Sequence, residues 1–302
     1  MTVAFHHCED VTEHALRLNG WQQEYNQIEA GRFSGDIIDI DEHGIRLFRE
    51  SANLGLSHSM HFPEAQWHLV LPIHWPNDSL FDLGTVTVLP RCEEFWSVTR
   101  SNYDLLVVSI DRNRYAWLGR DERRLRKLDV PGALLAGVRE QWRAMTDYLL
   151  ASLQHGTLPA WQSVFSRQLE EGVDLLLSEC SRSPYVDDVR YRTRRYIVDR
   201  CHAMIRAQPD DPPSMMALCR QLKISRRTLQ YSFQVETGQS PVHYLRALRL
   251  NAARRSLFED PTQPIADAAA RQGFFHQSYF SREYRRLFKE SPSATLKRLQ
   301  AS

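Results

Sequence analysis

The chain has 302 residues, of which 42% are apolar, 25% charged and 10% aromatic, with 13 glycines, 14 prolines and 5 cysteines. These proportions exclude collagen-like, disordered and disulfide-framework classes and leave room for two domains, each with a core. The net charge of +1 conceals a segregation. Residues 1–189 carry 17 Lys+Arg against 28 Asp+Glu, a net of −11, and residues 190–302 carry 21 against 9, a net of +12. That asymmetry points to an acidic module joined to one that seeks polyanions, against the plainer reading of a solvated basic face. The cysteines Cys8, Cys92, Cys180, Cys201 and Cys219 form no C-x-x-C pair, which fits reduced thiols in a cytosolic protein. There is no signal-peptide pattern at the N-terminus, and apolar runs such as Leu105 to Ser109 are strand-sized. A cytoplasmic location without a membrane partner is the expectation.

In chain order, Glu13 to Gln27 reads as a helix. From about Phe33 to Asn113 short β-branched or leucine-rich runs follow, including HLVLPI, TVTVLP and DLLVVSI, bounded by Pro, Asn, Asp and Gly. They suggest an antiparallel β-barrel or sandwich, with a turn at Asp41-Glu42-His43-Gly44. Next, Leu135, Val138, Trp142, Met145 and Leu149 make a helical seam, and Trp161, Phe165, Leu169, Val173, Leu176 and Cys180 make a second one. This hairpin fits two readings, a lid over its own barrel or the interface of a homodimer. Ser181 to Asp188 reads as the linker.

Beyond it the chain repeats itself at an offset of 51 residues: Arg220-Gln221 falls on Arg271-Gln272, Leu229 on Phe280, Phe233 on Tyr284 and Ser240-Pro241 on Ser291-Pro292. Each copy reads as helix, short turn, helix, with Ser214 and Ser225 as caps in the first and Gly273 as the turn residue in the second. In each second helix Leu229 and Phe233, or Phe280 and Tyr284, must pack inward at i and i+4. Arg226, Arg227, Gln230 and Tyr231 are left on the outer face of the first, and Gln277, Ser278 and Arg282 on that of the second. Arg forks onto guanine and Gln onto adenine, so these faces predict base reading in double-stranded DNA. Between the units, Pro241 to Phe258 reads as one helix of roughly 27 Å, a strut for two recognition helices about one DNA turn apart. Arg249, Arg254, Arg255, Arg285, Arg286 and Lys289 are the candidates for phosphate contacts.

The stretch ISRRTLQYSF through GFFHQSYFSREYRRLFKESPS resembles the DNA-binding domain of the AraC/XylS family of bacterial regulators. The resemblance runs from about Arg190 to the C-terminus. It implies two helix-turn-helix units on asymmetric DNA and activation of transcription through RNA polymerase. Lys223 stands where many members have glycine, and His276 caps the second recognition helix where Ser or Asp is commoner. The N-terminal stretch from EHALRLNGW to RLFRES is similar to ethanolamine-operon regulators and their relatives, which implies an effector-sensing, dimerising domain without specifying the effector.

In the first half, Trp67, Trp75, Trp96 and Tyr103 with Glu93 form a candidate aromatic and acidic pocket for a small-molecule effector, an amine held by cation–π contact, against the reading of plain core. His58 and His61 sit at an odd strand spacing that puts them on opposite faces, so no metal site is assigned, and no cofactor motif is present. The expected fold is α+β: an N-terminal antiparallel β-barrel or cupin-like domain with a helical hairpin over residues 1–183, and an all-α DNA-binding domain over 190–302. The expected function is a non-enzymatic, effector-responsive, sequence-specific transcription activator. Its rivals are a regulator whose first half binds a protein partner and an enzyme with a DNA-binding tail.

Overall fold

The computed structural model describes residues 2–42, 44–76, 80–92, 94–119, 125–154, 162–178, 189–208 and 213–301. The strands are β1 (Thr2–Cys8), β2 (Gln22–Gln27), β3 (Gly35–Glu42), β4 (Ile45–Ala52), β5 (Leu56–His61), β6 (Gln66–His74), β7 (Thr85–Val88), β8 (Phe95–Val98), β9 (Tyr103–Asp111) and β10 (Arg126–Asp129). They form a seven-stranded sheet in the order β1-β3-β4-β9-β6-β7-β10 and a three-stranded sheet β2-β5-β8, antiparallel at every pairing. The fold is thus α+β with an antiparallel N-terminal half, and its strands build two stacked sheets rather than one closed barrel.

Each central strand of the large sheet is buried on both faces, which explains the near-continuous apolar runs. Ile37, Phe48, Val70, Leu105 and Val107 face Tyr25, Leu56, Met60 and Phe95 of the small sheet. Their strand neighbours Ile38, Leu47, Leu69, Leu71, Leu106 and Val108 face the other way, onto a pair of helices. Those helices are α2 (Gly132–Gln154) and α3 (Gln162–Ser178). The predicted seam residues Leu135, Val138, Trp142, Met145 and Leu149, with Phe165, Leu169, Val173 and Leu176, are spent on this sheet. Trp161, Cys180 and the predicted linker Ser181 to Asp188 lie outside the described residues.

The predicted helix from Glu13 to Gln27 is a correction. Only α1 (Val11–Ala15) is helical, capped by the Asp10 carboxylate, which accepts from the Thr12 amide at 2.8 Å. Gly20 at φ 76° breaks the run, and the alternation of inward Tyr25 with outward Glu24 and Asn26 makes the remainder a strand.

The C-terminal helices are α4 (Val189–Arg206), α5 (Met215–Leu222), α6 (Arg226–Thr237), α7 (Pro241–Glu259), α8 (Ile265–Arg271), α9 (Gln277–Phe288) and α10 (Pro292–Ala301). They share one core built on Leu218, Leu229, Phe233, Tyr244, Phe280 and Tyr284. Among the described residues no helix is long and apolar enough to cross a membrane.

A Cβ placed on Gly172 of α3 would stand 2.9 Å from the Trp142 indole of α2, so this glycine sets the approach of the two helices. Gly172→Ala should cost about 1–3 kcal/mol by overpacking, read as a lower midpoint of chemical unfolding. An unchanged midpoint would contradict the packing.

Candidate nucleic-acid interface

Local capping builds the first helix-turn-helix unit. The Ser214 hydroxyl accepts from the Ala217 amide, α5 ends on Lys223 in the left-handed region (φ 53°, ψ 42°), and the Ser225 hydroxyl accepts from the Thr228 amide at 3.0 Å to open α6. Lys223 therefore takes the conformation at which glycine is easiest, at about 1–2 kcal/mol for a side chain. α6 ends on Gly238 (φ 70°), and Ser240 caps α7 with Pro241 in its first turn.

The second unit is tied differently. Pro264 opens α8 and His276 opens α9, neither giving a side-chain cap. The turn residue Gly273 has φ 71°, and a Cβ there would stand 2.6 Å from the Arg249 guanidinium. Arg249 Nε donates to the Gln272 carbonyl at 2.6 Å, and its guanidinium lies 4.6 Å from the Phe274 ring centre. Arg249 is therefore a strut under the turn. Arg246 Nη1 donates to Glu283 at 2.7 Å and fastens α7 to α9.

The predicted reading faces are open to solvent. Arg226, Arg227, Gln230 and Tyr231 of α6 are exposed, as are Gln277, Ser278 and Arg282 of α9 and the phosphate candidate Arg285, while Leu229, Phe233, Phe280 and Tyr284 are buried beneath them. Arg226 and Arg227 make no ion pair among the described residues. Arg282 leans on Glu283 at 3.3 Å yet stays 69% exposed, and the Arg194 guanidinium lies 6.0 Å from the Tyr231 ring. Each unit thus presents bidentate and amide donors on an unobstructed helix face, the requirement for major-groove reading.

Arg254 and Arg255 of α7, predicted for phosphates, point the opposite way. Arg254 is 4% exposed; its Nε donates to Asp10 at 2.9 Å, and its other nitrogens reach Glu290 at 2.5 Å, Tyr284 at 2.7 Å and Thr295 at 3.2 Å. Arg255 donates to Asn26 at 2.8 Å and Glu24 at 3.0 Å on β2. Burial alone would raise the Asp10 pKa, but the charge and hydrogen bonds of Arg254, with the Thr12 amide and Arg298, hold it below the usual carboxylate range.

Of the five residues proposed for an effector pocket, the four described ones are scattered over three layers. Trp67 lies between the large sheet and the helical pair, with the Arg112 guanidinium 3.7 Å from its ring centre. Trp75 and Tyr103 sit between the two sheets, ring centres 6.1 Å apart. Trp96 is on the outer face of the small sheet, stacked at 4.7 Å on His202 of α4. Glu93 lies outside the described residues.

Sequence reasoning missed Glu50 on β4, whose buried carboxylate accepts from Tyr103 at 2.9 Å and Tyr25 at 3.3 Å and pairs with His14 at 3.1 Å. Its signal was faint, an acid beside Arg49 at the end of the alternating stretch IRLFRES. The cavity beside it, walled by Trp21, Trp75 and His58, is about 30 Å³, room for no more than a water or two. His58 faces this core while His61 is exposed, as their spacing requires.

Residues 218–298 match a helix-turn-helix domain family. Over 117 residues the chain is 32% identical to the probable thc operon regulatory protein of Rhodococcus erythropolis, covering 35% of each chain. Over 148 residues it is 34% identical to the HTH-type transcriptional activator RhaR of Pectobacterium carotovorum, covering 42% of this chain and 52% of that one. Through this domain the chain is similar to HTH-type transcriptional regulators. It spans about a third to a half of the length of these curated relatives. A solved structure of a probable AraC family transcriptional regulator from Rhodopseudomonas palustris is 33% identical, covering 34% of this chain and 97% of that one, with a TM-score of 0.31.

Arg227→Ala or Arg282→Ala should cost about 1–3 kcal/mol on a duplex selected by the protein while sparing non-specific binding. Equal losses on random DNA in a titration would refute direct reading by these residues.

Proposed function

We propose that the chain is an effector-responsive transcription activator, with residues 1–183 sensing and residues 190–302 reading DNA and engaging RNA polymerase. The observation that carries this reading is that the C-terminal helices have two working sides. The faces of α6 and α9 are free for DNA, and the opposite side is held by the N-terminal half through polar contacts. The Asn251 amide closes a pair with the backbone of Gln27, receiving from its N–H at 3.0 Å and donating to its carbonyl at 2.9 Å. The hydroxyls of Tyr244 and Ser57 share a hydrogen bond of 2.8 Å, and Arg100 donates to the Val235 carbonyl at 2.9 Å.

The small sheet is what these contacts grip. On β5, Ser57 and Ser59 face the helices while His58 and Met60 face the core; on β8, Trp96 faces the helices while Phe95 and Ser97 face the core. One strand thickness therefore separates the sandwich core from the docked domain. Beside the sheet lies a polar cleft of about 560 Å³, walled by Glu9, Asp10, Arg32, Asn53, Arg254 and Arg298. Its size suits a small molecule, and its walls come from both halves, so occupancy would act on the docking itself. A ligand shifts that equilibrium only by its differential affinity for docked and released states. The reading moves the effector from the tryptophan pocket to this cleft. Regulation by a protein partner is favoured instead if no small molecule changes DNA binding.

The experiment is to select duplexes from random DNA with the full chain, then measure transcription from a promoter carrying the selected site. Raised transcription that responds to a metabolite extract supports the reading. Failure to select any sequence would overturn it.

Docking also carries a pH signature. Burial first, and the charges of Arg206 and Arg195 second, pull the His202 pKa down from 6.5 to about 3. Between these values the unfolded chain takes up a proton that the folded chain refuses, so stability falls as pH drops through that window. At pH 5 this amounts to roughly 2 kcal/mol. The fall in thermal midpoint from pH 7 to pH 5 should be smaller in His202→Asn; an equal fall would show that His202 is not the buried neutral group.

A further inference from the structure

The two helix-turn-helix units are not identical in their turns. Each passes through one left-handed residue, Lys223 (φ 53°) in the first and Gly273 (φ 71°) in the second. From there the chain reaches the cap of the recognition helix in two steps in the first unit, Ile224 and Ser225, and in three in the second, Phe274, Phe275 and His276. Ile224 and Phe274 do the same work, since both pack on the domain core. Phe274 is 4% exposed, 5.3 Å from the Phe280 ring centre. Phe275 is the residue left over.

Its side chain is 83% exposed, the most of any large apolar side chain among the described residues. A residue just before a helix cap often folds back on the fourth helical position. That position is Phe280, already 1% exposed and flanked by Phe274 and by Tyr284 at 5.5 Å. Phe275 makes no ring contact among the described residues. Together with His276, Gln277 and Ser278 it forms an exposed run at the N-terminal end of α9, the end from which such helices address base edges. Gln277 and Ser278 supply polar groups there, and Phe275 supplies only apolar surface.

In the major groove the apolar feature of a base edge is the 5-methyl group of thymine. We propose that Phe275 is a specificity-determining residue that packs against a thymine methyl group beside the bases addressed by Gln277 and Ser278. The proposal rests on the reading of α9 as a recognition helix and adds a base preference to it. A phenylalanine in this place would make the second unit favour thymine without any hydrogen bond.

The test uses the full chain and a duplex it selects from random DNA, with each thymine in the second unit's half replaced in turn by deoxyuridine, which lacks only the methyl group. At one position the wild type should bind about three- to fivefold more weakly, the worth of one buried methyl group. Phe275→Ala should bind the thymine duplex about equally more weakly and ignore the replacement, Phe275→Leu should keep part of the discrimination, and binding to random DNA should be unchanged in both. Wild-type affinity in Phe275→Ala, undiminished sensitivity to the methyl group, or a selected site without thymine in that half would overturn the proposal. Gln277→Ala separates the two failures. If it weakens selected binding while Phe275→Ala does not, only this proposal falls; if both are neutral, the assignment of α9 falls with it.

Discussion

The arrangement of the molecule turns on the buried guanidinium of Arg254. It belongs to the helix between the two DNA-reading units, yet its charge is met by Asp10, the residue that caps the first helix of the chain. Glu290 and the hydroxyls of Tyr284 and Thr295 take its remaining donors, and Arg298 adds a second contact to Asp10 at 2.9 Å. A buried pair of this kind adds little net stability over an apolar replacement, while removing one partner costs up to about 3–5 kcal/mol, less here because Glu290 stays on Arg254 and Arg298 on Asp10. The contact therefore acts as a positional lock. Loss of either partner weakens a docking face that Arg298, Arg255, Asn251 and Tyr244 also hold.

That lock fixes what α7 can be. Tyr244, Asn251, Arg254 and Arg255 engage the N-terminal half, while Ala247, Leu250 and Ala253 pack in the helical core. A helix used on so many sides has no broad solvent face for phosphates, and its positive charge is spent inside the protein. The cations left exposed on this side of the domain are those of α6 and α9, Arg226, Arg227, Arg282 and Arg285.

Much of this was legible in the sequence. The repeat at 51 residues exposed both helix-turn-helix units, because packing demands apolar side chains at i and i+4 and leaves the donors of α6 and α9 outward. The helical seam was legible for the same reason, with Gly172 accommodating Trp142. The roles of Arg249, Arg254 and Arg255 were not. An arginine in a helix is written identically whether it meets a phosphate, a turn carbonyl or an acid 244 residues away. The tryptophans misled for a related reason: nearness along strands does not place Trp67, Trp75 and Trp96 on one face, and the sheets send them to three layers. Glu50 was obscured by its ordinary surroundings, since only burial distinguishes it from a surface acid.

The central claim is that the N-terminal half governs DNA binding through the docking face that Asp10 and Arg254 lock. The most direct measurement pairs small-angle scattering with DNA titration on full-length Asp10→Ala. The account predicts a larger radius of gyration with secondary structure intact, and an affinity for the selected duplex changed by more than tenfold. Separated domains with unchanged affinity would contradict it.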